Sequence, residues 1–151
     1  MQLENILTPD RCYCDVETIS KKRLLKKISE KIATDINHLQ SNQIFEALMA
    51  RERLGSTGLG KGIAIPHCRV SSSKEIIACL VTLDQPVDFD AVDSIPVDLL
   101  FLLIVPEQKT DEHVRVLAHL AALFNDENFC KILRNTHNGK ALYDVAINYQ
   151  L

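Results

Sequence analysis

Two apolar runs in the middle of the chain constrain its fold more than any other feature. Residues 76–83 and 97–105 are almost entirely apolar and rich in branched side chains. Runs of this length suit strands, and they are far shorter than the roughly 18 residues that a membrane-spanning helix needs. Because polar residues do not alternate with the apolar ones, we expect both faces of each strand to be covered. The runs therefore predict a sheet that lies between helices.

Helical periodicity is found before and after these runs. Apolar residues recur at helical spacing in five segments, which are residues 24–36, 41–55, 111–125, 129–133 and 142–149. Thr18 or Ser20 is the expected N-cap of the first helix. Residues 63–66 predict a short strand that ends at its proline. Since the sequence contains no repeat and no linker, we expect residues 1–151 to form one α/β domain, with a mixed sheet of about five strands sandwiched between helices.

Charge and cysteine content narrow the classes of function. The net charge of −3 at pH 7 argues against a dedicated nucleic-acid-binding protein, since such domains are usually basic. The first ten residues hold neither the basic region nor the apolar core of an export signal. Five cysteines without a C-x-x-C pair indicate a reducing compartment. We therefore expect a cytoplasmic protein without a membrane span, in which Cys12, Cys14 and Cys68 have no assigned role.

Glycine is concentrated in one segment of the chain. Four of the five glycines lie within the eight residues 55–62. The segment resembles the phosphate-binding loop G-x-x-x-x-G-K-[ST], but Gly62 stands where that motif needs a hydroxyl for Mg²⁺. The order of helix, loop and strand is also the reverse of the motif, so nucleotide binding is disfavoured. Two interpretations remain, which are an ordinary flexible turn and an anion site formed by Gly55, Ser56, Thr57, Gly58 and Gly60.

His67 is the candidate reactive residue. It follows the short predicted strand, and sheets in α/β domains usually place their chemistry at the carboxyl ends of strands. Arg51, at the end of the preceding helix, can reach a phosphate with its planar guanidinium group. His113 begins the helix that follows the longest strand, where we expect it to project toward His67. A histidine beside an arginine and anion donors is the arrangement that a phosphohistidine needs.

Metal sites are the main alternative chemistry. His67, Cys68 and His113 form a possible zinc ligand set, although adjacent His-Cys ligands without a second paired motif are a weak signal. That set leaves a metal- or cysteine-dependent hydrolase open as a further function. The acidic segment 84–98 does not match a calcium loop, since an EF-hand counted from its Asp88 would need glycine at position 93 and glutamate at position 99. We read this segment as a solvated connection.

Two blocks of sequence resemble a known family. Residues 51–67, Arg-Glu-Arg-Leu-Gly-Ser-Thr-Gly-Leu-Gly-Lys-Gly-Ile-Ala-Ile-Pro-His, resemble the active-site signature of enzyme IIA domains of the fructose/mannitol class. These domains belong to the phosphoenolpyruvate-dependent phosphotransferase system. Residues 89–106 resemble a second block of the same family, and the resemblance spans nearly the whole chain. The pattern G-S-T-G-x-G before the histidine is most similar to the nitrogen-regulatory branch.

The resemblance implies a phosphoryl carrier that needs no cofactor and no metal. His67 would accept a phosphoryl group on Nε2 from the phosphohistidine of a phosphocarrier protein of the HPr or NPr type. Arg51 matches the active-site arginine of the family, and His113 matches its second active-site histidine. The nitrogen branch implies a regulator of protein partners, such as potassium or nitrogen regulators, more than a stand-alone enzyme. The alternative is a sugar-specific carrier that passes phosphate to a IIB domain for sugar uptake.

Overall fold

A mixed β-sheet covered by helices on both faces organises the chain. The computed structural model describes residues 2–108 and 110–151. Its strands are β1 (Cys12–Val16), β2 (Gly58–Gly60), β3 (Ile63–Ala64), β4 (His67–Arg69), β5 (Ile77–Val87) and β6 (Val97–Val105). Its α-helices are α1 (Lys21–Asp35), α2 (Ser41–Arg53), α3 (Thr110–Asn125), α4 (Glu127–Arg134) and α5 (Gly139–Asn148). Two 3₁₀ turns, Leu3–Asn5 and Pro9–Arg11, precede β1.

The two apolar runs form the centre of the sheet. β5 and β6 pair with each other in antiparallel register, and β1 lies parallel to β5 on the outer side. β3 and β4 both lie parallel to β6, and β2 pairs antiparallel with β3 to form a hairpin. The prediction of a mixed sheet is therefore confirmed, with six strands in the described residues in place of about five.

β3 and β4 form one interrupted strand along β6. Ile63 pairs with Leu99 and His67 pairs with Leu103, so the register is the same before and after the break. The break falls at Pro66, which has no N–H to donate to the ladder, while its carbonyl still accepts from Leu103 at 2.9 Å. The sequence predicts that the strand ends at the proline, and the structure corrects this: the strand resumes with His67 as its first residue.

Alternate residues of the central strands supply two separate hydrophobic cores. One core lies between the sheet and the last three helices and contains Leu80, Phe101 and Leu120. The other lies between the sheet and the first two helices and contains Leu24, Ile44 and the side chains of β5 and β6 that face the opposite way. The covering of both sheet faces, predicted from uninterrupted apolar runs, is thus confirmed.

Local signals explain where the helices begin. Ser20 is the N-cap of α1, and its hydroxyl oxygen accepts from the backbone N–H of Arg23 at 3.1 Å. The face of α3 differs from simple helical spacing, which predicts Val114 among the buried residues. Leu120 is buried as the spacing predicts, but Val114 is exposed and Val116 is buried instead. Along residues 2–108 and 110–151, no helix combines the length and the apolar character needed to cross a membrane.

Candidate functional site

The three residues predicted to carry the chemistry line one pocket. Arg51, His67 and His113 surround a depression of about 380 Å³. Arg51 comes from the last turn of α2, His67 from the start of β4 and His113 from the first turn of α3. These three elements are distant in sequence, and the parallel pairing of β4 with β6 brings them together, because α3 follows soon after the end of β6.

The imidazole of His67 is held by the backbone. Its Nδ1 atom lies 2.8 Å from the carbonyl oxygen of Ile65. A carbonyl oxygen only accepts hydrogen bonds, so Nδ1 carries the proton of the neutral ring. The lone pair is then on Nε2, the nitrogen on the far side of the ring from Ile65. The ring itself is half-buried.

Burial and neighbouring charges keep His67 neutral. The pKa of His67 lies below its ordinary value, chiefly because burial disfavours the charged ring, and the nearby groups Arg51 and His113 lower it further. The hydrogen bond to Ile65 and the carboxylate of Glu52 act in the opposite direction. Since the lowering effects are larger, the ring is a neutral base near pH 7, which is the form that a nucleophile requires.

Arg51 is held at the pocket by the loop that follows α2. Its Nη1 atom donates to the carbonyl oxygen of Gly55 at 2.8 Å, and its side chain is half-buried. Arg53, two residues later, is exposed and lines a different depression with Ile19 and Asp88. The structure therefore places only one of the two arginines beside His67.

The glycine segment, residues 55–62, lies beside the pocket, but its residues are not part of the pocket lining. The hydroxyl group of Ser56 donates to the carbonyl oxygen of Phe89 at 2.6 Å and accepts from the N–H of Gly58 at 3.0 Å. The hydroxyl of Thr57 donates to the carboxylate of Glu52. Both hydroxyl hydrogens are thus bonded within the fold, and an anion site formed by this segment stays a prediction.

The glycines themselves meet a packing requirement. Residues 58–60 form an edge strand that approaches the loop after β5 so closely that a Cβ atom at Gly58 would lie 2.9 Å from the Cβ of Ala91. Gly60 has φ of +90°, and a Cβ atom there would lie 2.9 Å from a carboxylate oxygen of Asp93. Close approach and positive φ both require glycine. At positions 58 and 60, glycine is therefore required by the packing and backbone conformation of the β2–β3 hairpin.

Glu52 is a buried acidic residue that the sequence analysis did not single out. Its carboxylate accepts from the backbone N–H of Thr57 at 3.2 Å as well as from the Thr57 hydroxyl, and it pairs with Nζ of Lys21 at 2.8 Å. A signal for it does exist in the sequence. An acid in the last turn of a helix is unfavourable beside the negative end of the helix dipole, so an acid there calls for a specific partner.

The zinc alternative has no support in this geometry. Among the residues that the structure describes, no three His, Cys, Asp or Glu side chains are grouped in a way that could hold a metal ion. Cys68 lines the pocket but is buried, and burial raises the pKa of its thiol to about 12. Zinc binds thiolate, which this environment disfavours. The same raised pKa argues against Cys68 as a nucleophile.

Comparison with known proteins gives the family. The family described as "Phosphoenolpyruvate-dependent sugar phosphotransferase system, EIIA 2" matches residues 5–149. The nitrogen regulatory protein of Pseudomonas aeruginosa is 46% identical over 150 residues, which are 99% of this chain and 97% of that protein.

Solved structures agree with this assignment. The crystal structure of nitrogen regulatory protein IIA-Ntr from Neisseria meningitidis matches with a TM-score of 0.90 and 37% identity, over 95% of this chain and 98% of that one. IIA mannitol from Escherichia coli shares the fold, with a TM-score of 0.76 and 18% identity over 93% of this chain and 98% of that one. The resemblance seen in the sequence is thus confirmed. The chain belongs to the EIIA 2 family of the phosphoenolpyruvate-dependent sugar phosphotransferase system, and within it is similar to the nitrogen regulatory proteins.

Proposed function

We propose that His67 accepts a phosphoryl group on Nε2 from the phosphohistidine of an HPr- or NPr-type phosphocarrier protein. The observation that carries this proposal is the bond between Nδ1 of His67 and the carbonyl oxygen of Ile65. It leaves the lone pair on Nε2 of a neutral ring whose pKa is lowered chiefly by burial. The ring also lines the same pocket as Arg51.

The transfer needs alignment and charge stabilisation more than covalent help from the protein. The lone pair on Nε2 of His67 attacks the phosphorus, and the P–N bond to the donor imidazole breaks as the donor ring takes back its electron pair. The proton on Nδ1 stays in its bond to Ile65. The guanidinium group of Arg51 stabilises the phosphoryl oxygens, exchanging its contact with the carbonyl of Gly55 for charge-assisted bonds. His113 completes the wall of the pocket.

Exposed apolar side chains adjoin the pocket and suit a docking protein. Leu54 lines the pocket and is exposed, and Val114, which follows His113, is exposed as well. A phosphocarrier that covers these side chains excludes water from the transferring group, which limits hydrolysis.

We further propose that the chain is a regulator whose affinity for protein partners depends on the phosphorylation of His67. A phosphoryl group adds close to two negative charges at neutral pH, which changes the charge of the pocket rim. The similarity to nitrogen regulatory proteins supports this role. The description of the family as a sugar phosphotransferase system supports the alternative, in which the phosphate passes to a IIB domain for sugar uptake.

The test is phosphorylation in a reconstituted system. The chain is incubated with phosphoenolpyruvate, enzyme I-type protein and an HPr- or NPr-type carrier, and phosphate on the chain is measured by intact mass. We expect one phosphate per chain, acid-labile as phosphohistidine is, and none in His67→Ala. Undiminished labelling of His67→Ala would remove His67 from this role. Rapid loss of phosphate to an added IIB domain would favour the sugar-uptake alternative over the regulatory one.

A further inference from the structure

A buried cluster of polar groups connects the first residue of α1 and the last turn of α2 with the start of the glycine segment. We call it the anchor cluster, and it consists of Lys21, Glu52, Ser56, Thr57 and the backbone carbonyl of Phe89. The carbonyl accepts from the Ser56 hydroxyl at 2.6 Å and from Nζ of Lys21 at 3.3 Å. Nζ of Lys21 also lies 4.5 Å from the centre of the Phe89 ring.

Glu52 is the centre of the anchor cluster. Its side chain is only 4% exposed and that of Lys21 is 15% exposed, yet they form an ion pair of 2.8 Å. One carboxylate oxygen accepts from the ammonium of Lys21 and from the N–H of Thr57, and the other accepts from the Thr57 hydroxyl. Both oxygens are therefore bonded. Buried pairs of this kind contribute little net stability, because desolvation offsets the attraction, and their value is in fixing a geometry.

The geometry that Glu52 fixes leads to His67. Thr57, held by Glu52 at both its N–H and its hydroxyl, accepts with its carbonyl oxygen from the N–H of Ile65 at 3.0 Å. The carbonyl oxygen of Ile65 in turn bonds Nδ1 of His67 at 2.8 Å. Two residues, Thr57 and Ile65, thus connect a buried carboxylate to the imidazole.

The same carboxylate residue also borders the arginine. Arg51 precedes it in the last turn of α2, and the backbone carbonyl of Glu52 accepts from the N–H of Gly55 at 3.1 Å. The carbonyl of Gly55 is the group that receives the guanidinium of Arg51 at 2.8 Å. The Arg51 contact therefore depends on the backbone at position 52, whereas the carboxylate of Glu52 acts toward His67 through Thr57.

We propose that Glu52 is a positioning residue, which acts through Thr57 and Ile65 to hold His67 with Nδ1 protonated and Nε2 available to the phosphoryl donor. This inference rests on the proposed function for its effect on transfer, but the orientation of the ring is measurable without any transfer. In Glu52→Gln an NH2 group replaces one of the two carboxylate oxygens, so the bonds to Lys21 and to the N–H and hydroxyl of Thr57 are no longer all kept. The Ile65 peptide is then less firmly held, and the ring is expected to populate both tautomers.

The experiment compares three variants of the full chain. Glu52→Gln removes the charge, and Thr57→Val removes only the hydroxyl while keeping the ion pair. Asp35→Asn is the matched control: Asp35 pairs with Arg11 at 2.9 Å, the Arg11 side chain is 11% exposed, and the pair lies at the other end of α1. Nitrogen-15 NMR of the histidine rings reports the tautomer of His67, and the phosphorylation rate is measured at saturating and at limiting carrier.

We expect wild type and Asp35→Asn to show His67 almost entirely as the Nδ1–H tautomer. In Glu52→Gln and Thr57→Val we expect a mixture, with the saturated phosphorylation rate lowered about tenfold, equivalent to about 1.4 kcal/mol, and little change in the carrier concentration for half-saturation. If Glu52→Gln does not fold, Thr57→Val decides the question.

A lowered unfolding midpoint with an unchanged His67 tautomer in both variants would overturn the inference and leave Glu52 as a packing element. Absence of phosphorylation in the wild type would instead count against the proposed function, while the tautomer measurement would still judge the role of Glu52. The two failures are therefore distinguishable.

Discussion

Nδ1 of His67 lies 2.8 Å from the carbonyl oxygen of Ile65, two residues earlier in the chain. The partner is a backbone group, so no substitution at position 65 that keeps the local backbone removes it. In many sites a carboxylate side chain orients the reactive imidazole and stabilises its charged form. A carbonyl carries no full charge and stabilises the cation less, so it selects the tautomer while the ring stays neutral.

Phosphorylation is expected to slow in acid, because a protonated ring has no lone pair on Nε2. The pKa of His67 is held below its ordinary value of 6.5, mainly by burial. The rate should therefore fall to half of its plateau at a pH below 6.5. An NMR titration of His67 gives the pKa independently of the carrier. A midpoint for the rate that lies above the NMR pKa would assign the titration to the carrier instead.

Protonation of His67 should also change the free energy of unfolding, and the direction of the change follows from the lowered pKa. Unfolded His67 titrates near 6.5, and in the folded chain its pKa is lower. The native state thus binds the proton more weakly, so the contribution of His67 is fully present above 6.5 and is lost as the pH falls from there through the folded pKa. Urea unfolding at pH 7.5 and pH 5 should show a smaller acid loss in His67→Gln than in wild type. Equal losses in the two proteins would contradict the assignment.

Arg51 and Arg53 offer a matched pair of substitutions. Removing the guanidinium from the pocket in Arg51→Ala should lower the phosphorylation rate about 100-fold, by analogy with the loss of one charge-stabilising donor. It should also raise the pKa of His67, which Arg51 lowers. Arg53→Ala, at an exposed site facing a different depression, should change neither quantity. Similar rates for the two variants would show that Arg51 does not contact the phosphoryl group.

His113 and His119 allow a similar comparison on one helix. His113→Gln should slow transfer about tenfold, the size expected for loss of one hydrogen bond to a charged group, and should raise the pKa of His67. His119 is exposed and lines a separate depression with Glu4 and Tyr149. His119→Gln is therefore the control, and its kinetics and His67 titration should match the wild type. An unchanged rate for His113→Gln would reduce His113 to a packing role.

Gly60 tests the packing explanation for the glycine cluster. Gly60→Ala places a Cβ atom 2.9 Å from the Asp93 carboxylate at φ of +90°, and should destabilise the fold by about 1–3 kcal/mol. Asp93 itself accepts from the N–H groups of Lys61 and Ile95, so Asp93→Ala carries its own cost. A double-mutant cycle separates the two effects. If the clash contributes, Gly60→Ala should cost less in the Asp93→Ala background, and strictly additive costs would leave backbone strain as the whole effect.

The sequence predicted some strands much better than others. β6 was predictable to the residue, because a run of nine residues that is apolar except for Asp98 has few alternatives. β1, Cys12–Val16, was missed since its side chains are of mixed polarity and its place is fixed by pairing with β5. β2 was missed because its sequence is Gly-Leu-Gly, which has no intrinsic preference for a strand.

The side chains that line the pocket were easier to predict from the sequence than the residues that hold them in place. His67, Arg51 and His113 were predicted from residue type and position along the chain, and they do line one pocket, while their chemical roles stay a prediction. Glu52 was missed because an acid between two arginines at a helix end looks like a solvated charge. Its burial depends on Lys21, which is 31 positions away, and no local pattern encodes that pairing. The bonds that the Ser56 and Thr57 hydroxyls make were not predictable for the same reason, since the groups that accept from them lie outside the glycine segment.

Because β2 is short, the carbonyl of Ile65 has no partner from β2. β2 begins at Gly58, and immediately before it the carbonyl oxygen of Thr57 accepts from the N–H of Ile65. One more paired residue in β2 would compete for the carbonyl of Ile65 and displace the ring of His67. An unsatisfied edge carbonyl would also be a docking point for a strand of another molecule. By bonding that carbonyl, the imidazole satisfies one acceptor at this edge, so a substitution of His67 is expected to leave the carbonyl to water or to a group of another molecule.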